Sequence, residues 1–162
     1  MPQQTPSQAG HDLISSYYAA FNAGDRPTML ALLAEDVVHD LNQGPRQVGK
    51  SVFAAFMQRM DRCYRERLSD VRICVSSDGT HAAAEYVVHG TYLAQDEGLP
   101  PATGQTYVLP GGAFFDLRSS RIGRVTNYYN LEDWLAQVHG SSACRVGELR
   151  ASGKSGPVVS GV

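Results

Sequence analysis

Long apolar runs, charge of one sign and paired cysteines are all scarce in this sequence, and each scarcity removes a class of protein. No stretch approaches the roughly 18 consecutive apolar residues that a membrane-spanning helix needs. The first ten residues, MPQQTPSQAG, have neither the basic start nor the apolar run of a secretory leader. A cytoplasmic protein without a membrane partner is expected. With 14 Lys and Arg against 16 Asp and Glu, the net charge of −2 offers no general attraction to phosphate backbones, so nucleic acid is not an expected partner. Cys63, Cys74 and Cys144 form no even set and no C-x-x-C spacing, which predicts free thiols. Metal-ligand spacing, a phosphate-cradling glycine loop and a G-x-S-x-G elbow are missing as well, so no metal or cofactor is expected.

What remains is ordinary globular composition: 162 residues, 43% hydrophobic and 19% charged. A chain of this size supports one core that buries roughly two thirds of its unfolded surface and still encloses a small-molecule cavity. From Asp12 the residues Leu13, Ile14, Tyr17, Ala20 and Phe21 recur at three and four, the stripe of an amphipathic helix that Gly24 ends. Asp25 caps a second helix with Pro27 in its first turn. A short strand over 36–41 follows, broken by Asn42, Gly44 and Pro45. Past Gly49, the set Val52, Phe53, Phe56, Met57 and Met60 predicts a third helix across a sheet.

Residues 66–76, 81–93, 104–117 and 121–130 then read as an antiparallel meander, with Ser77-Asp78-Gly79 and Ser119-Ser120 as turns. A short helix over 131–138 closes the domain. The expected organisation is a flexible segment over 1–10, one domain over 11–139, and a flexible Gly/Ser-rich tail over 140–162. Three helices followed by a long curved sheet is an α+β layout, a cone-shaped roll around a pocket.

Four stretches carry a family resemblance: Tyr17-Tyr-Ala-Ala-Phe-Asn-Ala-Gly-Asp25, Glu35-Asp-Val-Val-His-Asp40, the loop from Gly90-Thr-Tyr92 to Gly104, and Arg121-Ile-Gly-Arg-Val-Thr-Asn-Tyr-Tyr-Asn130. Their order and spacing resemble the nuclear transport factor two-like superfamily, and within it the ketosteroid isomerase and SnoaL-like polyketide cyclase branches. The resemblance extends to bacterial proteins described only as ketosteroid isomerase-related. It implies a cofactor-independent isomerase- or cyclase-type enzyme acting on a small hydrophobic carbonyl compound, steroid- or polyketide-like. Asp40 matches the aspartate base of the isomerases, whose tuned carboxylates are a known worked case, and Tyr17 matches an oxyanion-holding tyrosine. The second oxyanion donor of the isomerases, a protonated aspartate, falls on Gly111 here, and the acidic residue of SnoaL-like cyclases falls on Asn130.

Alternation on the strand 81–93 puts Glu85 and His89 on one face and Tyr86, Val88 and Tyr92 on the other. The resemblance places Glu85 and His89 inward, which makes His89 a third catalytic candidate and admits a dehydratase or epoxide-opening alternative. Val125, Asn127 and Tyr129 on the last strand are expected inward; Asn127, Tyr129, Glu85 and Tyr107 are the expected substrate contacts. His39 is expected on the face opposite Asp40, and the arginines 59, 62, 65 and 67 on a solvated face with acidic neighbours. Tyr86, Val88, Tyr92 and Tyr128, read as outward, predict a homodimer through the outer sheet face. A non-catalytic ligand-binding dimer module is the remaining alternative.

Overall fold

The computed structural model describes residues 4–41 and 44–139. In chain order the elements are α1 (Pro6–Ala23), α2 (Arg26–Ala31), β1 (Leu33–Leu41), β2 (Gln47–Val48), α3 (Lys50–Cys63), β3 (Tyr64–Val75), β4 (His81–Tyr92), β5 (Thr106–Arg118), β6 (Arg121–Tyr129) and α4 (Leu131–Val138). Helix α1 begins at Pro6 rather than near Asp12. Thr5 accepts from the Gln8 amide as N-cap, and Pro6 sits where its missing N–H costs nothing. Gly10, inside the segment expected to lie outside the domain, is buried so closely that an added Cβ would fall 2.8 Å from Val75 and 3.0 Å from Leu117. The expected tail over 140–162 lies outside the described residues.

The helix ends at Gly24, whose φ of 69° is the left-handed conformation that glycine adopts without strain. Asp25 then caps α2 by accepting from the Thr28 amide. Helix α3 buries Phe53, Phe56, Met57 and Met60 and runs straight into β3, where Tyr64 is already extended.

The six strands form one curved, unclosed sheet in the order β2-β1-β6-β5-β4-β3. Only β1 and β6 run parallel; every other pair is antiparallel. The meander expected from the turn signals is present, and the two-residue β2 is an addition that the Asn42 to Pro45 breaker hid. Helices α1 and α3 cover the inner face, and the core lies between, with Ile14, Met29, Leu33, Phe53, Phe115 and Ile122 among its most buried members.

One irregularity decides which side chains face inward. Between Ser69 and Arg72 the pairing of β3 with β4 shifts register, and Asp70 there takes a φ of 54°. Before the bulge Tyr64, Glu66 and Leu68 point to the core; after it Val71, Ile73 and Val75 do. The strand therefore changes parity midway.

Candidate functional site

The inner face of the sheet is lined by aromatic side chains carrying a few polar ends. Tyr17 and Tyr18 of α1 lie with ring centroids 5.4 Å apart, and both pack edge-on against Phe115 of β5. Tyr18 also meets Tyr86 of β4 at 5.5 Å. Burial pushes the phenols of Tyr17, Tyr18 and Tyr86 well up from their ordinary value, so each stays protonated and available as a donor. Two glycines make room for this layer. A Cβ on Gly111 would fall 2.7 Å from the Tyr86 ring, and one on Gly90 would fall 2.0 Å from the Tyr107 ring. The space at position 111, where the resemblance anticipates an aspartate, is thus filled by a tyrosine from the neighbouring strand.

Toward β3 this layer meets a carboxylate. The Tyr107 hydroxyl donates to Oε1 of Glu66, while Oε2 of Glu66 is sealed from solvent and accepts no hydrogen bond. Burial pushes the Glu66 carboxyl up to about 7, against the Tyr107 hydrogen bond and the Arg26 charge, which both pull it down. Glu66 also borders a cavity of about 320 Å³ between the C-terminal end of α1, the start of α2 and the α3–β3 junction, shared with Phe21, Arg26, Met60, Tyr64 and Leu93. Asn22 fixes the strand beside it, donating to the Leu68 carbonyl at 2.9 Å and accepting from the Leu68 amide at 2.8 Å. Trp134 of α4 backs Tyr107, with centroids 5.9 Å apart.

At the β1–β6 side the interior polar pair is His39 and Asn127. The imidazole sits between Phe53 and Phe56, at 4.7 and 4.6 Å, and its Nε2 lies 3.3 Å from the Asn127 amide nitrogen. Burial drives the His39 pKa down to about 4, so the ring is neutral near pH 7. With Asn127 donating to Nε2, the proton belongs on Nδ1, which faces Gln47 without a well-formed hydrogen bond.

The outer face has a different chemistry, and it holds several side chains expected inside. Asp40 lies there, gripped by Arg46 through bonds of 2.7 and 3.0 Å and accepting from Thr126 at 3.2 Å. These contacts hold its carboxyl below the usual range and keep it ionised, and the alternation of β1, with His39 and Leu41 inward, keeps Asp40 out of the interior that Tyr17 shares. Glu85 and His89 are also outward: Glu85 pairs with Arg72 at 3.0 Å, and His89 Nε2 lies 2.9 Å from the Ser69 hydroxyl. The inward His89 on which the dehydratase or epoxide-opening alternative rested is therefore not present. The reversal has a simple cause, because alternation gives two faces without saying which is inner, and a shift of one residue exchanges them.

Tyr17, Tyr107 and Asn127 are interior as expected, and Tyr129 is half-buried on the inner parity of β6. Asn130 serves α4 as its N-cap, accepting from the Asp133 amide. Glu66, His39, Asp96, Tyr18 and Tyr86 are buried polar groups that sequence reasoning missed. Glu66 was hidden by the arginines on either side of it; the one available signal was its place two residues from both Tyr64 and Leu68. Among the described residues no cluster of three or more His, Cys, Asp or Glu side chains is placed to hold a metal ion, and no helix is long and apolar enough to cross a membrane.

Solved structures place this architecture among known proteins. A Pseudomonas putida KT2440 protein named "putative polyketide cyclase" is 62% identical, with a TM-score of 0.79 over 84% of this chain and 99% of that one. One of the same description from Xanthomonas campestris is 60% identical, with a TM-score of 0.81 over 83% and 99%. A Mycobacterium tuberculosis LEH-like epoxide hydrolase shares the fold alone, at 16% identity and a TM-score of 0.66 over 82% and 91%. No curated protein matches the chain. The sequence pattern of the SnoaL-like domain matches residues 14–125, and the protein belongs to the SnoaL-like family of the nuclear transport factor two-like fold.

Proposed function

We propose that this protein catalyses a cofactor-independent proton transfer, of the cyclase or isomerase type, on a small hydrophobic carbonyl compound held inside the cone. The observation that carries this is the interior itself, an aromatic lining in which Glu66 and His39 each keep one polar atom without a well-formed partner, in a chain 55–62% identical to three proteins each named "putative polyketide cyclase". An apolar enclosure with few convergent polar groups is the usual form of a small-molecule site. A carboxyl there is matched to neutral-pH proton transfer better than a salt-bridged surface carboxylate. The proton-transfer group is accordingly placed on the inner face, opposite Asp40.

The test is deuterium wash-in. A hydrophobic β-keto ester and a 3-ketosteroid are incubated with the protein in D2O, and loss of the C–H signal next to the carbonyl is followed by NMR. Protein-dependent exchange, unchanged in Asp40→Asn, is expected. Saturable binding with no exchange at any pD would instead make the chain a binding module.

The second copy stays part of the proposal on a corrected basis, since Tyr86, Val88 and Tyr92 lie inside. The outer face still exposes Val108, Phe114 and Tyr128 at 51, 52 and 48%, amid arginines and carboxylates that a two-fold axis can match. A dimer in sedimentation at micromolar concentration, converted to monomer by Phe114→Asp, is expected; a wild-type monomer refutes it.

A further inference from the structure

We infer that Glu66 is the proton-transfer group of this interior, with Tyr107 as its positioning residue, and that substrate reaches it through the cavity between α1, α2 and the α3–β3 junction. This rests on the proton-transfer function proposed above and assigns its chemistry to a strand and an entrance. Four carboxylates or imidazoles compete for the role, and their surroundings separate them; Asp96 is buried but already accepts from the Tyr64 hydroxyl at 3.0 Å and lies 3.7 Å from Arg59. Asp40 is outward and spends both oxygens on Arg46. His39 is boxed by two phenylalanine rings and has Nε2 occupied by Asn127. Glu66 has one oxygen fixed by Tyr107 and the other sealed from water and unpartnered, while its chain borders the cavity.

An unpartnered carboxylate oxygen away from water is costly to maintain unless something occupies it. A carbon acid that enters from the cavity and displaces the side chains covering Oε2 provides that occupant at the moment of transfer. The C–H bond next to the substrate carbonyl breaks, its proton passes to Glu66, and its electron pair moves to the carbonyl oxygen as an enolate. The neutral carboxylic acid then returns the proton. It goes to another carbon of the enolate in an isomerisation, or to the alkoxide formed when the enolate carbon attacks a second carbonyl of the same molecule in a ring closure. Either way no external oxidant, reductant or metal enters the balance. The cavity of about 320 Å³ is at the small end for ligand sites, which suits a compact mono- or bicyclic carbonyl compound. Its walls mix apolar Phe21, Met60, Tyr64 and Leu93, which suit a hydrophobic body, with polar Asn22, Arg26, Asp61 and Arg65, which suit its oxygens.

The groups that act on the Glu66 carboxyl are Tyr107 of β5 and Arg26 of α2; Tyr86 of β4 feels its charge, and Asp61 and Arg65 line the same cavity. Arg26 is itself held by Asp61 at 2.6 Å, which limits its pull on the carboxylate. Rate should therefore rise with pH through about 7, where burial places the carboxyl and the base becomes ionised. Removing the Tyr107 hydroxyl takes away a bond to the ionised form, so Tyr107→Phe should move that rise to higher pH.

The deciding experiment measures deuterium wash-in on the full chain from pH 5 to 9 for wild type, Glu66→Gln, Glu66→Asp and Tyr107→Phe. Quenching of Trp134, the single tryptophan, reports ligand binding beside Tyr107. The carboxyl carbons of 13C-glutamate-labelled wild type are titrated in parallel. Expected are an exchange rate at least about 100-fold lower in Glu66→Gln with binding retained, partial recovery in Glu66→Asp, an alkaline-shifted profile in Tyr107→Phe, and one carboxyl titrating near pH 7. Exchange within threefold of wild type in Glu66→Gln overturns the assignment and leaves the general function standing. Absence of exchange in wild type overturns both. A wild-type protein whose glutamates all titrate in the ordinary range overturns the assignment even if the variants do not fold.

Discussion

The two faces of the same sheet use the same residue types to opposite ends. On the outer face carboxylates sit within reach of arginines: Asp40 with Arg46, Glu85 with Arg72, Asp116 with Arg124. On the inner face Glu66 has a tyrosine hydroxyl and a layer of aromatic rings. Asp40 is held below its ordinary range by Arg46, while Glu66 is driven up to about 7 by burial. Charge partner and solvent, not residue type, therefore decide which carboxyl is poised near neutral pH.

That contrast is most sharply tested by stability against pH. Glu66 has its folded pKa raised from 4.5 to about 7, so between those values the native state binds a proton that the unfolded chain has lost. The Glu66 contribution to stability should be fully present below about pH 4.5, fall as pH rises to about 7, and level off above it, by on the order of 3 kcal/mol in all. Urea unfolding at pH 5 and pH 8 measures this, and Glu66→Gln should remove the slope. A slope that persists in Glu66→Gln would break the contrast at its inner end.

A smaller effect is expected from crowding the layer that holds Glu66. Gly90→Ala brings a methyl group against the Tyr107 ring, and displacing that buried ring should cost about 1 to 3 kcal/mol and loosen its bond to the carboxylate. Thermal unfolding, with the Glu66 titration as companion measurement, checks both consequences.

The outer face should respond least. Asp40→Asn weakens a solvated ion pair and should cost about 1 kcal/mol or less. The Asp40 contribution is present above the ordinary carboxylate range and lost as pH falls through its lowered pKa, the reverse of the Glu66 slope. Chemical denaturation at pH 3 and pH 6 reads the difference.

The signals that made the fold legible were local ones. Ala-Gly-Asp after α1, Asp25 as a cap, the Phe and Met stripe of α3 and the turns at 77–79 and 119–120 each specify backbone geometry within a few residues, and the structure uses all of them. Tyr17 could be assigned inward from the apolar stripe of α1, and Asn127 from the alternation of Val125, Asn127 and Tyr129, which lies past the register shift of the β5–β6 pair. Glu85, His89 and Asp40 could not, because their elements offered two faces with apolar residues on both, and only packing against α1 and α3 selects one. Glu66 stood beyond sequence reasoning for a further reason: the bulge at Asp70 changes the parity of β3, so the apolar positions after it do not extend to those before it.

The sequence by itself determined the order of helices and strands, the family to which that order belongs, and the supply of tyrosines and carboxylates. Only the tertiary structure decided that Glu66 and Asp96 lost their water. Desolvation and charge pairing depend on what lies opposite a side chain, and for Glu66 that is Tyr107, 41 residues away along the chain.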